Sequence, residues 1–169
     1  MLDYRARALC FGDDINTDYI ISSRRKKDTI DPDELVPYLM EDIRPGFYKE
    51  IKGDSILIAG SNFGCGSAME VAAQIVKSAG FPVIISSSFA RSYYRNAVNN
   101  GVMPLEMDTS SIQEGDIIHV IQKEDGISVE NERTGERKTL PPFSGKVGEI
   151  LSYGGIVEYI KSNYSRREK

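Results

Sequence analysis

Residues 53–90 read GDSILIAGSNFGCGSAMEVAAQIVKSAGFPVIISSSFA, and this segment specifies the architecture of the chain. GDSILIAG predicts a turn followed by a short apolar strand, because the run is too short for a helix, and FPVIISSSFA contains another such strand. Between them, small and apolar residues recur on one face of a helix that Gly80 ends. A strand, a helix and a second strand at this spacing predict a parallel βαβ crossover, which is right-handed by default.

Short elements on either side of this unit complete the prediction of an α/β fold. RARALCFG alternates loosely, as a strand does, and the YII that follows GDDINTD is a short β-prone run. DPDELVPYLMED predicts a helix that Asp31 caps and that has Pro32 in its first turn. Further along the chain, three runs are typical of a small antiparallel set of strands: GDIIHVIQ, GISVEN and RKTL. The tail VGEILSYGGIVEYIKSNYSRREK predicts one or two helices that close the domain. The sheet is therefore mixed, with its strand order open.

Composition limits what the chain can be. With 169 residues, 40% hydrophobic and 27% charged, it fits one globular domain spanning residues 1–169. A net charge of −4 gives no electrostatic footprint for nucleic acid or an anionic membrane. No apolar run approaches the roughly 20 residues that cross a bilayer, and MLDYRARALC lacks the apolar core of a signal peptide. We therefore expect a cytoplasmic protein.

The chain contains two cysteines, Cys10 and Cys65. Two are too few for a disulfide framework and too few to hold a metal cluster alone. Cys65 could be a reactive thiolate near a helix start, but a small buried filler is the favoured interpretation. We therefore expect no metal site within this chain.

The run between the first of these strands and the helix has three glycines in the seven residues from Gly60 to Gly66. Ligands of open α/β sheets usually bind at this position, because glycines let the backbone approach and a helix start offers unpaired N–H groups. The expected ligand group is a carboxylate or a phosphate. Three interpretations stay open at this point: an anion-binding loop, an active-site serine, and a plain turn between strand and helix.

Ser67 itself has two interpretations. With Glu70 three residues later it forms the pattern of a capping box, which needs no catalysis to explain it. A serine nucleophile needs a base within reach, and the chain's single histidine, His119, lies in the strand-like run IIHVI. A hydrolase that pairs serine with histidine is therefore disfavoured.

Two nucleotide signatures can be compared with the same loop. A Walker loop requires a lysine directly before its serine or threonine, and Gly66 stands there instead. A dinucleotide fingerprint requires a third glycine, and the run that begins at Gly64 has Met69 in that place. A nucleotide-binding module is accordingly the weakest of the functional hypotheses.

Three motifs together resemble a known family. FGDDINTDYII, GSNFGCGS followed by a glutamate, and SSSFARSYYRNAVNNGVMPLEM are similar, in order and spacing, to the small subunit of 3-isopropylmalate dehydratase and related hydro-lyases. That subunit is the stand-alone form of the aconitase swivel domain, which has a β/β/α fold. The resemblance extends from about residue 6 to about residue 160.

The resemblance implies a subunit that works with a partner. It implies that a separate large subunit holds a [4Fe–4S] cluster through three cysteines, and that the small subunit closes the active site and binds no cofactor itself. The reaction would interconvert isomers of a 2-hydroxy dicarboxylate or tricarboxylate by dehydration and rehydration. The open iron would act as a Lewis acid for the leaving hydroxyl.

The resemblance also assigns residues. Ser67 matches the family's catalytic serine, a base whose negative charge is stabilised by backbone amides. Asp18 matches an aspartate that lines the site. The residues around the serine would line the substrate site, and they are Gly64, Cys65, Gly66 and Ala68.

One departure from the family pattern concerns substrate binding. Relatives usually read G-S-S-R-E-H at this loop, with an arginine that holds a substrate carboxylate, whereas this chain has Ala68 and Met69 after Ser67. Losing such a contact costs about 1.5–3 kcal/mol, or about 10-fold to 100-fold in binding. Arg24 and Arg25, in the run SSRRKKDT, are candidate replacements.

The departure leaves a second function open. The same scaffold could have altered specificity or lost catalysis, and then act as a binding or stabilising partner. Met69 is the residue on which this alternative depends, because an uncharged thioether replaces a bidentate cation.

Overall fold

Seven strands form one mixed sheet, and its parallel half contains the βαβ unit. The computed structural model describes residues 2–27 and 29–164. The sheet order is β4-β3-β2-β1-β5-β6-β7, with β1 to β4 parallel and the remaining neighbours antiparallel. The strands are β1 (Asp3–Cys10), β2 (Ser55–Ala59), β3 (Val83–Ser86), β4 (Met103–Glu106), β5 (Ile117–Lys123), β6 (Gly126–Asn131) and β7 (Glu136–Leu140).

Helices and short 3-10 turns connect these strands. The α-helices are α1 (Thr17–Ile20), α2 (Pro32–Leu35), α3 (Glu70–Ser78), α4 (Arg91–Asn99), α5 (Gly145–Ser152) and α6 (Ile156–Tyr164), and the 3-10 turns are Arg25–Lys27, Val36–Tyr38 and Phe47–Lys49. The predicted βαβ crossover, the antiparallel set and the closing helices are confirmed. The tail prediction beyond residue 164 lies outside the described residues.

Of two local predictions, the cap at Asp31 is confirmed and the strand at YII is wrong. Asp31 caps α2 as expected, since its side chain accepts a hydrogen bond from the N–H of Asp33. The β-prone reading of YII is wrong, because Tyr19 and Ile20 belong to the single turn of α1. That turn forms because Asn16 caps it through its side-chain oxygen, and this local bond outweighs the β propensity of the run.

The core lies on both faces of the sheet. Strands β2 and β3 are buried at every position, as expected for parallel strands covered on both sides. On one face, Leu57 and Ile84 pack with residues of α3 and α4. On the other face, Ile56 and Ile85 pack with residues of β5 and β6, so the sheet curls and covers itself. Each such aliphatic side chain contributes about 1.5–3 kcal/mol through burial.

The parallel strands place the loops of interest together. Strands β1, β2 and β3 run in one direction, so the loops that follow them meet at the same edge of the sheet. The loop after β1 leads into α1, the loop after β2 leads into α3, and the loop after β3 leads into α4. We call residues 60–69, between β2 and α3, the glycine loop.

Candidate active site at the glycine loop

Two glycines let the glycine loop fold tightly against its neighbours. Gly64 and Gly66 adopt left-handed backbone angles, with φ of 78° and 88°. A Cβ atom at Gly64 would lie 2.2 Å from Cγ of Tyr93, and one at Gly66 would lie 2.5 Å from the side-chain oxygen of Asn16. Only glycine satisfies both the backbone angle and the space at these positions.

Thr17 ties the glycine loop to α1. Its backbone N–H donates to the carbonyl oxygen of Cys65, and its hydroxyl donates to the carbonyl oxygen of Ser67, each over 2.8 Å. The side chain of Thr17 is buried, so these bonds are shielded from water. Sequence reasoning singled out Asp18 and missed Thr17, because only the parallel pairing of β1 with β2 brings Thr17 beside the glycine loop.

The loop after β3 holds the glycine loop from its other side. The N–H of Phe63 donates to the carbonyl oxygen of Ser88 over 3.0 Å, and the N–H of Ala90 donates to the carbonyl oxygen of Phe63 over 2.9 Å. The Ser88 hydroxyl oxygen accepts from the N–H of Asn62 over 2.8 Å. The glycine loop is therefore fixed by both neighbouring connections.

The predicted capping box does not form. Helix α3 begins at Glu70, and its N-cap position is Met69, so Ser67 lies in a bend before the helix. The reason is the tether described above, because the Ser67 carbonyl is held by Thr17 and the chain reaches the helix three residues later. Ser67 is exposed, and its hydroxyl makes no hydrogen bond within residues 2–27 and 29–164. The interpretation of Ser67 as a mere cap is wrong.

Backbone donors surround this serine. The N–H groups of Gly66, Ser67, Ala68 and Met69 donate to no other group in the described part of the chain. They precede the positive end of α3, a helix of nine residues. Exposed amides in a turn before a helix stabilise negative charge, so this segment favours an anionic ligand or an alkoxide.

Residues 22–27, which we call the cationic loop, contact the glycine loop through Lys26 and Met69. The Arg24 guanidinium pairs with the Asp42 carboxylate. The Arg25 guanidinium donates two hydrogen bonds to Glu41, over 2.7 Å and 2.9 Å, and lies 4.0 Å above the Tyr38 ring. The hydrogen bonds from Arg25 lower the pKa of Glu41. Both arginines predicted as substrate contacts therefore hold carboxylates of the chain itself.

A third cation, Lys26, reaches the glycine loop. Its Nζ contacts Sδ of Met69 over 2.6 Å, and the residue is half-buried. No carboxylate lies within ion-pair distance of Lys26 among the described residues. A thioether is a weak acceptor for an ammonium, so this cation can still bind an anion. The sequence hypothesis considered Arg24 and Arg25 and missed Lys26.

Two further residues singled out from the sequence have hydrogen-bond partners other than Ser67. Asp18 is exposed in the first turn of α1, and its carboxylate accepts from the Ser23 hydroxyl over 2.6 Å. It therefore contacts the cationic loop. His119 lies on β5, as predicted, and its Nε2 is 2.7 Å from a carboxylate oxygen of Asp3. Strand β5 is separated from β2 by β1, so His119 pairs with a surface acid at another part of the sheet.

The cysteines offer no metal centre of their own. Cys10 and Cys65 are free, and burial is the main cause that raises the pKa of Cys10 to about 11. Cys65 is only half-buried and contributes its carbonyl oxygen to the Thr17 tether. Within the described residues, no three His, Cys, Asp or Glu side chains are grouped to hold a metal ion. A cluster with three thiolate ligands does not fit a chain with two cysteines.

A search for membrane segments concerns the same described residues. None of their helices has both the length and the apolar character needed to span a bilayer.

Comparison with known proteins decides the family. Residues 21–110 match the family model described as the aconitase C-terminal domain, and they include the cationic loop, the glycine loop and α4. The chain belongs to the aconitase C-terminal domain family. The resemblance inferred from the three motifs is confirmed, and so is the α/β swivel-domain fold.

Relatives within the aconitase C-terminal domain family cover nearly the whole chain. The 3-isopropylmalate dehydratase small subunit of Halothermothrix orenii is 42% identical over 159 residues, which are 93% of this chain and 94% of that protein. The methanogen homoaconitase small subunit of Methanocaldococcus jannaschii is 39% identical over 157 residues, 93% of this chain and 91% of that protein. Both relatives are small subunits by name.

A solved structure agrees with the same family. The crystal structure of 3-isopropylmalate dehydratase from Methanocaldococcus jannaschii matches with a TM-score of 0.91 and 36% sequence identity. The match covers 99% of this chain and 98% of that one. The aconitase-type fold therefore extends beyond residues 21–110 over the complete seven-stranded sheet.

Proposed function

We propose that this chain is the small subunit of a two-subunit hydro-lyase of the 3-isopropylmalate dehydratase type. The enzyme would interconvert isomers of a 2-hydroxy dicarboxylate or tricarboxylate in the cytoplasm. The observation that carries the proposal is the exposed Ser67 hydroxyl beside the unpaired amides of Gly66, Ser67, Ala68 and Met69. Family membership supplies the reaction class, and this geometry supports a role for the chain in the chemistry.

Ser67 would be the catalytic base. A serine hydroxyl has a high pKa, so removing a substrate proton requires that its alkoxide be stabilised. Backbone N–H groups aimed at a developing anion stabilise it without reorganisation, because they are already in place. Thr17 would position Ser67 through the bond to its carbonyl oxygen.

The substrate carboxylates would bind around this serine. Gly64, Cys65, Gly66 and Ala68 would line the site with backbone, as expected of a glycine loop that faces an anion. We propose that Lys26 binds one of these carboxylates. Its ammonium contacts Met69 of the glycine loop and has no carboxylate partner within the described part of the chain. 

The other candidate contacts lie in or beside the cationic loop. Arg24 and Arg25 would act mainly by holding this loop through their pairs with Asp42 and Glu41, and would contact substrate only by exchanging them. Asp18 would orient the loop through its hydrogen bond with Ser23.

A large subunit would complete the active site. The proposal assigns the [4Fe–4S] cluster to that partner, where it would supply the Lewis acid for the substrate hydroxyl. This chain would contribute the serine, the amides and a cation, and would close over the substrate.

A second candidate function rests on Met69. A chain that kept the scaffold but lost a substrate cation could stabilise the large subunit without supporting turnover, or could accept a different hydroxy acid. The contact between Lys26 and Met69 favours altered specificity over loss of catalysis, because a positive charge is still present at the glycine loop.

The test is reconstitution of the complete enzyme. The chain is co-expressed with the large subunit encoded in the same genome, the cluster is rebuilt without oxygen, and a panel of 2-hydroxy diacids is assayed. Ser67→Ala is expected to reduce kcat by about 100-fold or more. Ser61→Ala is the matched control, because Ser61 is another exposed serine of the glycine loop.

Each outcome has a distinct meaning. Turnover that is lost only in Ser67→Ala supports the hydro-lyase with Ser67 as base. A stable complex with no turnover on any diacid supports the second candidate. Full activity of Ser67→Ala would rule out Ser67 as the base.

A further inference from the structure

Two arginines of α4 make no ion pair with the part of the chain that the structure describes. Arg91 and Arg95 stand one helical turn apart and are both exposed. Neither has a carboxylate within 4 Å among residues 2–27 and 29–164, although other arginines of this acidic chain do, namely Arg5, Arg24, Arg25, Arg44, Arg133 and Arg137. We call Arg91 and Arg95 the arginine pair.

The arginine pair stands where it lowers the stability of its helix. Arg91 is the first residue of α4, at the positive end of the helix dipole, where a cation is unfavourable. Like charges four residues apart on a helix also repel each other. Since no ion pair within the described residues offsets these two effects, a role in binding explains the placement better than a role in folding.

The surroundings of the arginine pair resemble a protein interface. A cavity of about 480 Å³ is lined by the two arginines together with Phe89, Tyr94 and Glu106. Glu106 already accepts the N–H of Phe89, over 3.0 Å. Arginine and aromatic side chains are enriched among residues that dominate protein–protein binding energy, and they bind carboxylates beside apolar surface.

The arginine pair also lies at the edge of the sheet that carries the glycine loop. Ala90, directly before α4, donates its N–H to the carbonyl oxygen of Phe63 in that loop, over 2.9 Å. On the other side of the glycine loop, Tyr19 of α1 is 46% exposed. A partner that covers the candidate active site would therefore meet exposed aromatic and cationic groups on both sides.

We propose that Arg91 and Arg95 dock an acidic surface of the large subunit. This inference rests on the proposed function, because a partner must cover the glycine loop to complete the active site there. The two guanidiniums would pair with carboxylates of the partner at the rim of the active site. The pair would steer association and fix the orientation in which the glycine loop faces the partner.

The experiment measures association of this chain with the large subunit encoded in the same genome. The test variant is Arg91→Glu plus Arg95→Glu, and a milder one is Arg91→Gln plus Arg95→Gln. The matched control is Lys52→Glu plus Lys123→Glu, which makes the same charge change at the opposite edge of the sheet. Affinity is measured at ionic strengths of about 0.01 M and about 0.15 M, where charges are screened weakly and strongly. Circular dichroism and thermal unfolding establish that each variant is folded.

The expected result is a loss of about 100-fold or more in affinity for the Glu variant at low ionic strength, an intermediate loss for the Gln variant, and no loss for the control. The salt dependence of binding should shrink in both arginine variants.

If a folded arginine variant binds as tightly as the parent, or the control loses as much affinity, the docking proposal is overturned. If a small anion such as citrate protects α4 from proteolysis only when the arginines are present, while subunit affinity is unchanged, the pair is an anion site instead. If the parent chain itself does not bind the large subunit, the proposed function fails first.

Discussion

The Thr17 hydroxyl donates a hydrogen bond over 2.8 Å to the carbonyl oxygen of Ser67, a residue 50 positions later in the chain. This bond joins the first turn of α1 to the bend that presents the candidate base. The bond holds the backbone of Ser67 and leaves its hydroxyl without a hydrogen bond within the described residues. Thr17 therefore positions Ser67 without occupying the group proposed to react.

Thr17→Val should show how much this hydrogen bond contributes to stability and to kcat. The substitution keeps the shape of a buried side chain but leaves the Ser67 carbonyl without its donor, which should cost about 1 kcal/mol of unfolding free energy. It should also lower kcat of the assembled enzyme by about 10-fold, because the proposed base, Ser67, loses its fixed position. Urea unfolding and steady-state kinetics measure the two quantities.

The control for this prediction is Thr109→Val. Thr109 is also buried and also donates from its hydroxyl over 2.8 Å, but to the carbonyl oxygen of Ala59 at the end of β2. The Thr109 hydroxyl also shares a hydrogen bond with the Ser87 hydroxyl over 2.9 Å, so we expect at least as large a loss of stability, with a smaller loss of kcat. Equal effects of both substitutions on kcat would contradict a specific role for Thr17.

Gly64→Ala should test how tightly the glycine loop is packed. The new Cβ would combine a left-handed backbone with a clash against the Tyr93 ring, so the variant should lose clearly more stability than backbone strain alone removes. Gly135→Ala isolates that strain, since φ is 72° and no atom of the described chain lies within 4 Å of the new Cβ. We expect about 1–2 kcal/mol for Gly135→Ala and several kcal/mol for Gly64→Ala in urea unfolding. Equal losses would show that the loop relaxes freely.

The sequence predicted the sheet well because the βαβ unit is specified by local patterns. Two short apolar runs and one amphipathic helix bounded by glycines permit few other arrangements. For the candidate site, the sequence indicated the glycine loop but not the tertiary contacts that hold it. Ser67 and the glycines belong to a local motif, whereas the Thr17 tether joins residues that only the parallel pairing of β1 with β2 brings together.

The capping-box error shows the same limit. Ser67 and Glu70 have the right spacing, and local preference alone would start the helix there. A tertiary hydrogen bond from Thr17 overrides that preference, so α3 begins at Glu70. The ion pairs of Arg24 and Arg25 likewise could not be predicted from local sequence, since Asp42 and Glu41 lie well beyond the cationic loop.

Lys26→Met should identify the cation that matters for substrate. Removing this ammonium from the glycine loop should raise KM of the assembled enzyme by about 10-fold to 100-fold and change kcat less, because a ground-state contact with a carboxylate is lost. Lys27→Met removes the same charge from the next residue, which is exposed, and should leave KM within about 2-fold. A larger rise in KM for Arg24→Met than for Lys26→Met would assign the contact to Arg24 instead.

Acid should unfold the antiparallel half through Asp116. Its buried carboxylate accepts hydrogen bonds from the Arg133 guanidinium, the Asn131 side chain and the N–H of Gln113. The Arg133 hydrogen bond is the main cause that lowers the pKa of Asp116 from 3.8 to about 2. Because the folded pKa is the lower one, the unfolded chain takes up the proton first, and this stability is present above about pH 4 and lost as pH falls towards 2.

Asp116→Asn tests this acid sensitivity directly. The variant should be less stable than the parent at neutral pH, because the pair with Arg133 is gone, and its stability should fall less steeply between pH 4 and pH 2. Urea midpoints measured across that range give both values. Asp125→Asn, an exposed acid in the turn between β5 and β6, should follow the parent. If the pH profile of Asp116→Asn ran parallel to that of the parent, the acid sensitivity would have to arise from other carboxylates, such as Glu41 with Arg25.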